Sequence, residues 1–449
     1  MQKYDMLKDS PGKSLFFFAL PIILGNLFQQ FYNMADSIIV GRFVGEDALA
    51  AVGASYSLTT VFIMIAIGSG MGASVLISQF LGAKEYKKMK TSVYTALFSF
   101  LAVSIIMLAI GMIMKERFLL LLNTPANIFS DSALYLKIYF IGLPFLFMYN
   151  VLSAIFNALG KSHIPLYLLI FSSILNIALD LFMVVKLNMG VGGVAIATVI
   201  AQGFSAVISF NILIRSLRNY EVLSEHKVDL YDISMLKKMV YIAIPSVLQQ
   251  SIVSIGMLLV QSVVNSFGSS VLAGYSAGMR VESICIVPMI ATGNAISTFT
   301  AQNLGAGQVD RVRKGYRVAY GIIIAFAIVI CITISLSYTQ IISAFLDPES
   351  GKEAFMVGSS YLKFMKFFFV LIGFKSITDG VLRGSGDMVI FTLANLINLG
   401  IRVFVAFRFA PSWGIQAVWY AVPMGWASNY LISFLRYLTG TWGRKKIIN

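Results

Sequence analysis

Long apolar runs separated by short polar loops dominate the chain. A helix needs about 20 apolar residues to cross the hydrocarbon core of a bilayer. Twelve runs reach that length, near 15–40, 48–80, 91–114, 131–158, 165–186, 191–214, 239–266, 271–302, 316–338, 356–382, 388–408 and 414–437. Backbone polar groups in lipid must be satisfied within the segment, and the strict alternation of a barrel strand is absent, so the runs predict helices. Several are long enough to tilt or to extend beyond the lipid. Composition agrees. Of the residues, 58% are hydrophobic and 12% charged, whereas a soluble chain carries about 25% charged residues to meet water.

The formal net charge of +14 would suggest nucleic acid or an acidic partner on a soluble protein. Here the charges sit in loops between apolar runs, and a topogenic role is the expectation; no nucleic-acid partner is expected. With the N-terminus inside, the cytoplasmic loops receive Lys84, Lys87, Lys88 and Lys90, then Arg215, Arg218, Lys227, Lys237 and Lys238, then Arg311, Arg313, Lys314 and Arg317. The opposite loops hold only Arg42, Lys115, Arg117, Lys186, Lys352 and Arg408. The pattern predicts a bacterial-type cytoplasmic (inner) membrane protein with both termini cytoplasmic. The opening MQKYDMLKDSPGKS leads into an apolar run too long for a signal peptide, and no cleavage site follows it. Cys285 and Cys331 lie inside apolar runs and imply neither a disulfide framework nor a metal site.

The chain repeats itself. ALPIIL (19–24) answers AIPSVL (243–248), QFLGA (79–83) answers QNLGA (302–306), and ALGKS (158–162) answers RGSGD (383–387), at a spacing of roughly 223 residues. Each half holds six runs, an even number, so both copies enter the membrane in the same direction. The longest polar stretch, 215–238, lies between them. The expectation is an all-α integral membrane protein of twelve transmembrane helices: an N-lobe over 1–214, a cytoplasmic linker over 215–238 and a C-lobe over 239–449. The two pseudo-symmetric six-helix lobes are expected to surround a central cavity.

Ionisable side chains inside hydrocarbon are costly unless paired or facing a cavity, which makes them functional candidates. Asp36 lies deep in the first run and Asp180 in the fifth, neither with a basic residue within a helical turn. Asn176 shares a helix face with Asp180, Thr198 sits in the sixth run, and Asn33 is one turn before Asp36. Carboxylate, amide and hydroxyl oxygens suit a hard monovalent cation, and a close carboxylate pair suits proton coupling. The same residues would also serve as an interhelical hydrogen-bond network holding the lobe together. The repeat sets Arg402 where the first lobe has Asp180, and Leu259 or Val260 where it has Asp36, so the second lobe cannot copy this site. Lys375 and Asp379 are spaced as a helical ion pair. Tyr32, Asn33, Phe145, Tyr149, Met257 and Glu282 are candidates for lining the cavity, where Glu282 would attract a cation. Pro21 and Pro245 open the first span of each lobe; Pro21 reads as a kink or as a hinge. Gly68, Gly70 and Gly72 predict close helix packing.

These landmarks resemble the multidrug and toxic compound extrusion (MATE) family over essentially the whole chain. The resemblance rests on Pro21, ADSIIVGRFVG (35–45), the Q-x-L-G-A endings, NIALDLFMV (176–184), GVGGVAIATVIAQ (190–202) and GVLRGSGD (380–387). It implies two six-helix bundles related by a pseudo-twofold axis, and export of organic, often cationic, compounds in exchange for protons or sodium ions. It also implies that Asp36, Asn176, Asp180 and Thr198 form the N-lobe proton or sodium site. Some members use an acid in the seventh span; here Pro245 to Ser254 holds Gln249 and Gln250 but no acid, which puts a C-lobe sodium site in doubt.

The expected function is a cation-coupled (proton or sodium) antiporter that exports amphipathic, cationic small molecules by alternating access. It would act as a monomer in the lipid bilayer with a small-molecule substrate and no cofactor beyond the coupling ion, H+ or Na+. The alternative is a flippase or exporter of a lipid-linked or other endogenous metabolite, against which the acidic first lobe argues. An enzyme is not expected: His163 and His226 lie in loops, and neither H-E-x-x-H nor G-x-S-x-G occurs.

Overall fold

The computed structural model describes residues 5–220, 228–349, 351–444 and 447–448, and their regular structure is helical. Part of the expected linker, 221–227, which includes His226, lies outside the described residues, and His163, expected in a loop, opens a helix instead. The first half holds α1 (Pro11–Ile39), α2 (Glu46–Gly82), α3 (Tyr86–Leu121), α4 (Ala126–Ile141), α5 (Leu143–Ala158), α6 (His163–Leu181) and α7 (Gly190–Arg218). The second holds α8 (Ile233–Asn265), α9 (Ser269–Cys285), α10 (Val287–Gly305), α11 (Val309–Ser343), α12 (Lys352–Met365), α13 (Phe369–Ser385), α14 (Met388–Trp413) and α15 (Gln416–Leu438). The repeat is visible in these bounds: Glu46 and Ser269, and Tyr86 and Val309, open equivalent helices 223 residues apart.

Three runs that read as single spans are each two helices. Pro144 and Pro288 sit at the starts of α5 and α10, where a missing N–H costs nothing but the preceding helix cannot continue unbroken. The α4–α5 pair is bent by 51° and the α12–α13 pair by 53°. The second bend has no proline. It falls at residues 366–368, the repeat-equivalent of the Gly142 region, so the geometry of the first half is kept without its chemistry. Among the described residues, nine segments are long and apolar enough to cross a membrane, and the two bent pairs raise this to eleven. The 23-residue α15 completes twelve. Large apolar side chains stand exposed on α3 and α11, with Ile113 77% and Leu336 75% accessible, as lipid-facing surfaces require.

The packing divides into two compact units, Leu24–Val247 and Met1–Ile23 with Leu248–Asn449. The boundaries fall inside α1 and α8, two residues past Pro21 and Pro245. Each of these long helices therefore contributes its first part to one unit and its remainder to the other.

In the Leu24–Val247 unit, glycines on α2 admit two neighbours. A Cβ at Gly70 would lie 2.9 Å from that of Ala154 on α5, and one at Gly72 would overlap the Met239 carbonyl on α8. The segment before α8 is tied to α3, where the Asp232 N–H donates to the Thr95 hydroxyl at 3.0 Å. In the other unit, α10 and α13 meet through small residues. A Cβ at Gly380 would overlap the Gly293 carbonyl, and one at Gly384 the Ser297 carbonyl. Backbone this close is the device of helix pairs in lipid, where apolar side chains gain nothing by leaving the tails. The N-terminal segment is held there too: the Met6 carbonyl accepts from Asn303 Nδ2 and from Arg311 Nη2, both at 3.1 Å.

Candidate functional site

Asp36 on α1 and Asp180 on α6 meet within the Leu24–Val247 unit. Asp180 is fully buried, Asn176 one turn before it is 2% exposed, and Asp36 is half-buried. Their carboxyl groups lie close enough to act on one another. Ionised carboxylates are acceptors only, so a proton or a small cation would relieve the pair. One oxygen of each, Asp36 Oδ1 and Asp180 Oδ1, is buried without a partner.

Amide and hydroxyl groups complete the cluster. Oriented by its hydrogen-bonding partners, the Asn176 amide donates to Asp180 Oδ2 and to the Tyr32 hydroxyl, both at 2.9 Å, and turns its oxygen to the Thr198 N–H at 3.1 Å. Thr198 on α7 donates its hydroxyl back to the Val194 carbonyl at 3.0 Å, which leaves its lone pairs toward the cluster, where Tyr32 is in contact with it. Tyr135 on α4 lies close enough for both carboxylates to act on its phenol, and its ring stacks on Tyr139 at 6.3 Å. Tyr135 was not singled out from sequence. Its signal, tyrosines at 135 and 139 one turn apart in an aliphatic stretch, is faint in a chain with 20 tyrosines.

Both carboxylate-bearing helices change winding just past the acid. α1 passes into a π-turn at Val40–Val44 and α6 into another at Phe182–Lys186. Such turns free backbone groups and re-aim side chains, and they recur at functional sites. The widened ends pack together through Val40, Val184, Val191 and Val194, with Ala48 and Tyr135 against them. Tyr135, on which both carboxylates act, is packed against this apolar cluster. Gly193 makes the approach of α7 feasible: a Cβ there would stand 3.1 Å from that of Met183 in the second π-turn.

The structure thus brings Tyr32, Asp36, Asn176, Asp180 and Thr198 together. The other named residues have surroundings of their own. Asn33 is exposed and accepts from Gln29 at 2.9 Å. Tyr149 is half-buried on α5, Phe145 near its start is 40% exposed, and Pro21 sits in the other unit's part of α1. Met257 and Glu282 also belong to that unit. Met257 is 42% exposed on α8, whereas Glu282 is 5% exposed and accepts a hydrogen bond from the Tyr361 hydroxyl. Arg402, at the repeat position of Asp180, is buried with its Nε unpartnered and acts electrostatically on Glu282. Lys375 and Asp379 form the expected ion pair at 2.9 Å.

Chemically, the cluster offers two carboxyl groups, an amide and hydroxyl oxygens in a setting largely closed to water. Uncompensated negative charge there is expensive, and a single small positive charge would offset it.

The MatE family model matches residues 21–182 and 245–407, one copy on each half. Two Bacillus subtilis proteins are similar along their whole length. The probable multidrug resistance protein YpnP is 29% identical over 454 residues, covering 100% of this chain and 99% of its own. The probable multidrug resistance protein YoeA is 31% identical over 453 residues, covering 98% and 96%. A solved MOP superfamily transporter from Pyrococcus furiosus superposes with a TM-score of 0.87 at 23% identity, over 98% of this chain and 97% of its own, which shows the shared fold. With both halves matched and the relatives collinear from end to end, this chain belongs to the MatE family of multidrug and toxic compound extrusion transporters.

Proposed function

We propose that the chain is a cation-coupled antiporter that exports amphipathic, cationic small molecules by alternating access, with Asp36, Asn176, Asp180 and Thr198 as the coupling site. The observation that carries this reading is the gathering of Tyr32, Asn176 and Asp180 in one hydrogen-bonded cluster beside Asp36, with a buried oxygen of each carboxyl group left unpartnered. A proton or a sodium ion entering there neutralises the pair and draws α1 toward α6. Leaving, it restores the repulsion. A conformation that prefers the neutral pair and one that prefers the charged pair are thereby linked to ion binding, and a substrate that prefers the second is linked in turn. The multidrug resistance names of the Bacillus subtilis relatives support drug-like substrates. Tyr32 hydrogen-bonds within the cluster and would report its state to a bound molecule beside Asn33. Tyr149, Met257 and Glu282 remain proposed substrate contacts, and Pro21 the hinge of α1. The basic loops support a cytoplasmic membrane location with both termini inside, and the working unit is proposed to be the monomer.

The test is Asp36→Asn. Coupled efflux of a cationic dye from proteoliposomes should be abolished while thermal unfolding of the purified variant stays near wild type. Vigorous gradient-driven efflux by the variant would sink the assignment. Imposing the proton and sodium gradients separately identifies the coupling ion.

A further inference from the structure

The second unit holds a polar cluster with the same donor chemistry and a different occupant. Lys375 and Asp379 lie one turn apart on α13, with side chains 10% and 4% exposed. The ammonium stands 2.9 Å from Asp379 Oδ2 and 3.2 Å from Asn395 Oδ1 on α14. Asp379 Oδ1 accepts from the Ser433 hydroxyl on α15 at 2.9 Å, and Asn395 Nδ2 donates to the Phe391 carbonyl at 2.8 Å, which turns the amide oxygen to the lysine. A carboxylate and an amide oxygen from two helices therefore receive one positive charge, and a hydroxyl from a third helix holds the carboxylate. Carboxylate, amide and hydroxyl from α1, α6 and α7 make up the Asp36–Asp180 cluster too, where no ammonium is present.

Arg383, four residues past Asp379 on α13, also acts on it, and its guanidinium donates to Ser297 Oγ at 3.2 Å and to Asn294 Oδ1 at 2.8 Å. Lys375 stands in direct contact with the carboxylate.

We propose that Lys375 is a tethered cation seated in a monovalent-cation site formed by Asp379 and Asn395, with Ser433 holding the carboxylate, so that this unit takes up no exchangeable ion and removal of the ammonium opens the site to an alkali cation. The oxygens stand at ammonium distances, wider than those a sodium ion draws in, which favours K+ over Na+. A fixed charge neutralises the carboxylate in every conformation and leaves ion exchange to the other unit. The inference goes beyond the coupling reading and does not depend on it.

The experiment uses the full chain in detergent, in an Asp36→Asn, Asp180→Asn background so that the other cluster cannot contribute. Thermal unfolding is followed as KCl or NaCl replaces choline chloride at constant ionic strength. The background protein should be insensitive. Adding Lys375→Met should make the melting temperature rise by on the order of a few degrees between about 1 and about 100 mM K+, as ligand linkage requires, with a smaller rise in Na+. Adding Asp379→Asn as well should return it to insensitivity. Lys375→Gln, neutral and of similar length, is read in the same way if the methionine variant does not accumulate. A folded Lys375 variant that ignores both ions overturns the proposal. So does a response that survives Asp379→Asn, or a Lys375 variant that stays unfolded at every K+ concentration while the charge-balanced double variant folds.

Discussion

One helical turn separates Asn176 from Asp180, and that spacing lets a single amide touch both the acid and the Tyr32 hydroxyl. Removing the hydroxyl with Tyr32→Phe takes away one hydrogen bond and leaves both carboxyl groups in place. A loss of about 1 kcal/mol moves the ion concentration for half-maximal efflux by roughly fivefold, without the abolition expected of Asp36→Asn. An ion titration of transport in proteoliposomes reads this directly, and an unchanged half-saturation point would remove Tyr32 from the site. At this scale the sequence was informative where residue type is rare. Acids in lipid-length runs are few, so Asp36 and Asp180 stood out. Tyr135 did not, because tyrosine is ordinary in such runs. The partner of Glu282 was also hidden: Tyr361 is 79 residues away, and no local pattern records a contact between α9 and α12.

Helix elements were legible in number and less so in shape. Twelve apolar runs told of twelve crossings, but the breaks at Pro144 and Pro288 went unread in them. The bend at 366–368 has no such proline, and the π-turns after Asp36 and Asp180 arise from packing around Val40 and Val184 that no periodicity encodes. Close helix contact was readable from glycine spacing alone, and it yields a contrast. Gly380→Leu should destabilise the purified protein by about 1–3 kcal/mol or more, the cost of overpacking, because the new side chain has only the Gly293 backbone and Ile296 to displace. Gly321→Ala on α11, with open space at its Cβ position, should be neutral or slightly stabilising. Thermal unfolding in one detergent compares the two, and equal losses would refute the α10–α13 account.

For the molecule as a whole, the repeat located two halves but was silent on where α1 and α8 change allegiance. The exchanged segments are equivalents of one another, so swapping them leaves no trace in an internal comparison. Their attachment is testable. Arg311→Ala removes a charged donor from the Met6 and Asp9 carbonyls, a loss of about 1.5–3 kcal/mol. Hydrogen exchange should quicken in residues 5–14 and stay unchanged around Asp36 and Asp180. Uniform quickening would mean that the segment is not held by this clamp.

That clamp also sets an order of events during synthesis. The Met6 carbonyl is received by Asn303, 297 residues further on. At about 5–20 residues per second, roughly 15–60 s pass between the emergence of the segment and that of its receptor. The start of α1 leaves the ribosome well before that receptor and is therefore among the last parts of the chain to be packed.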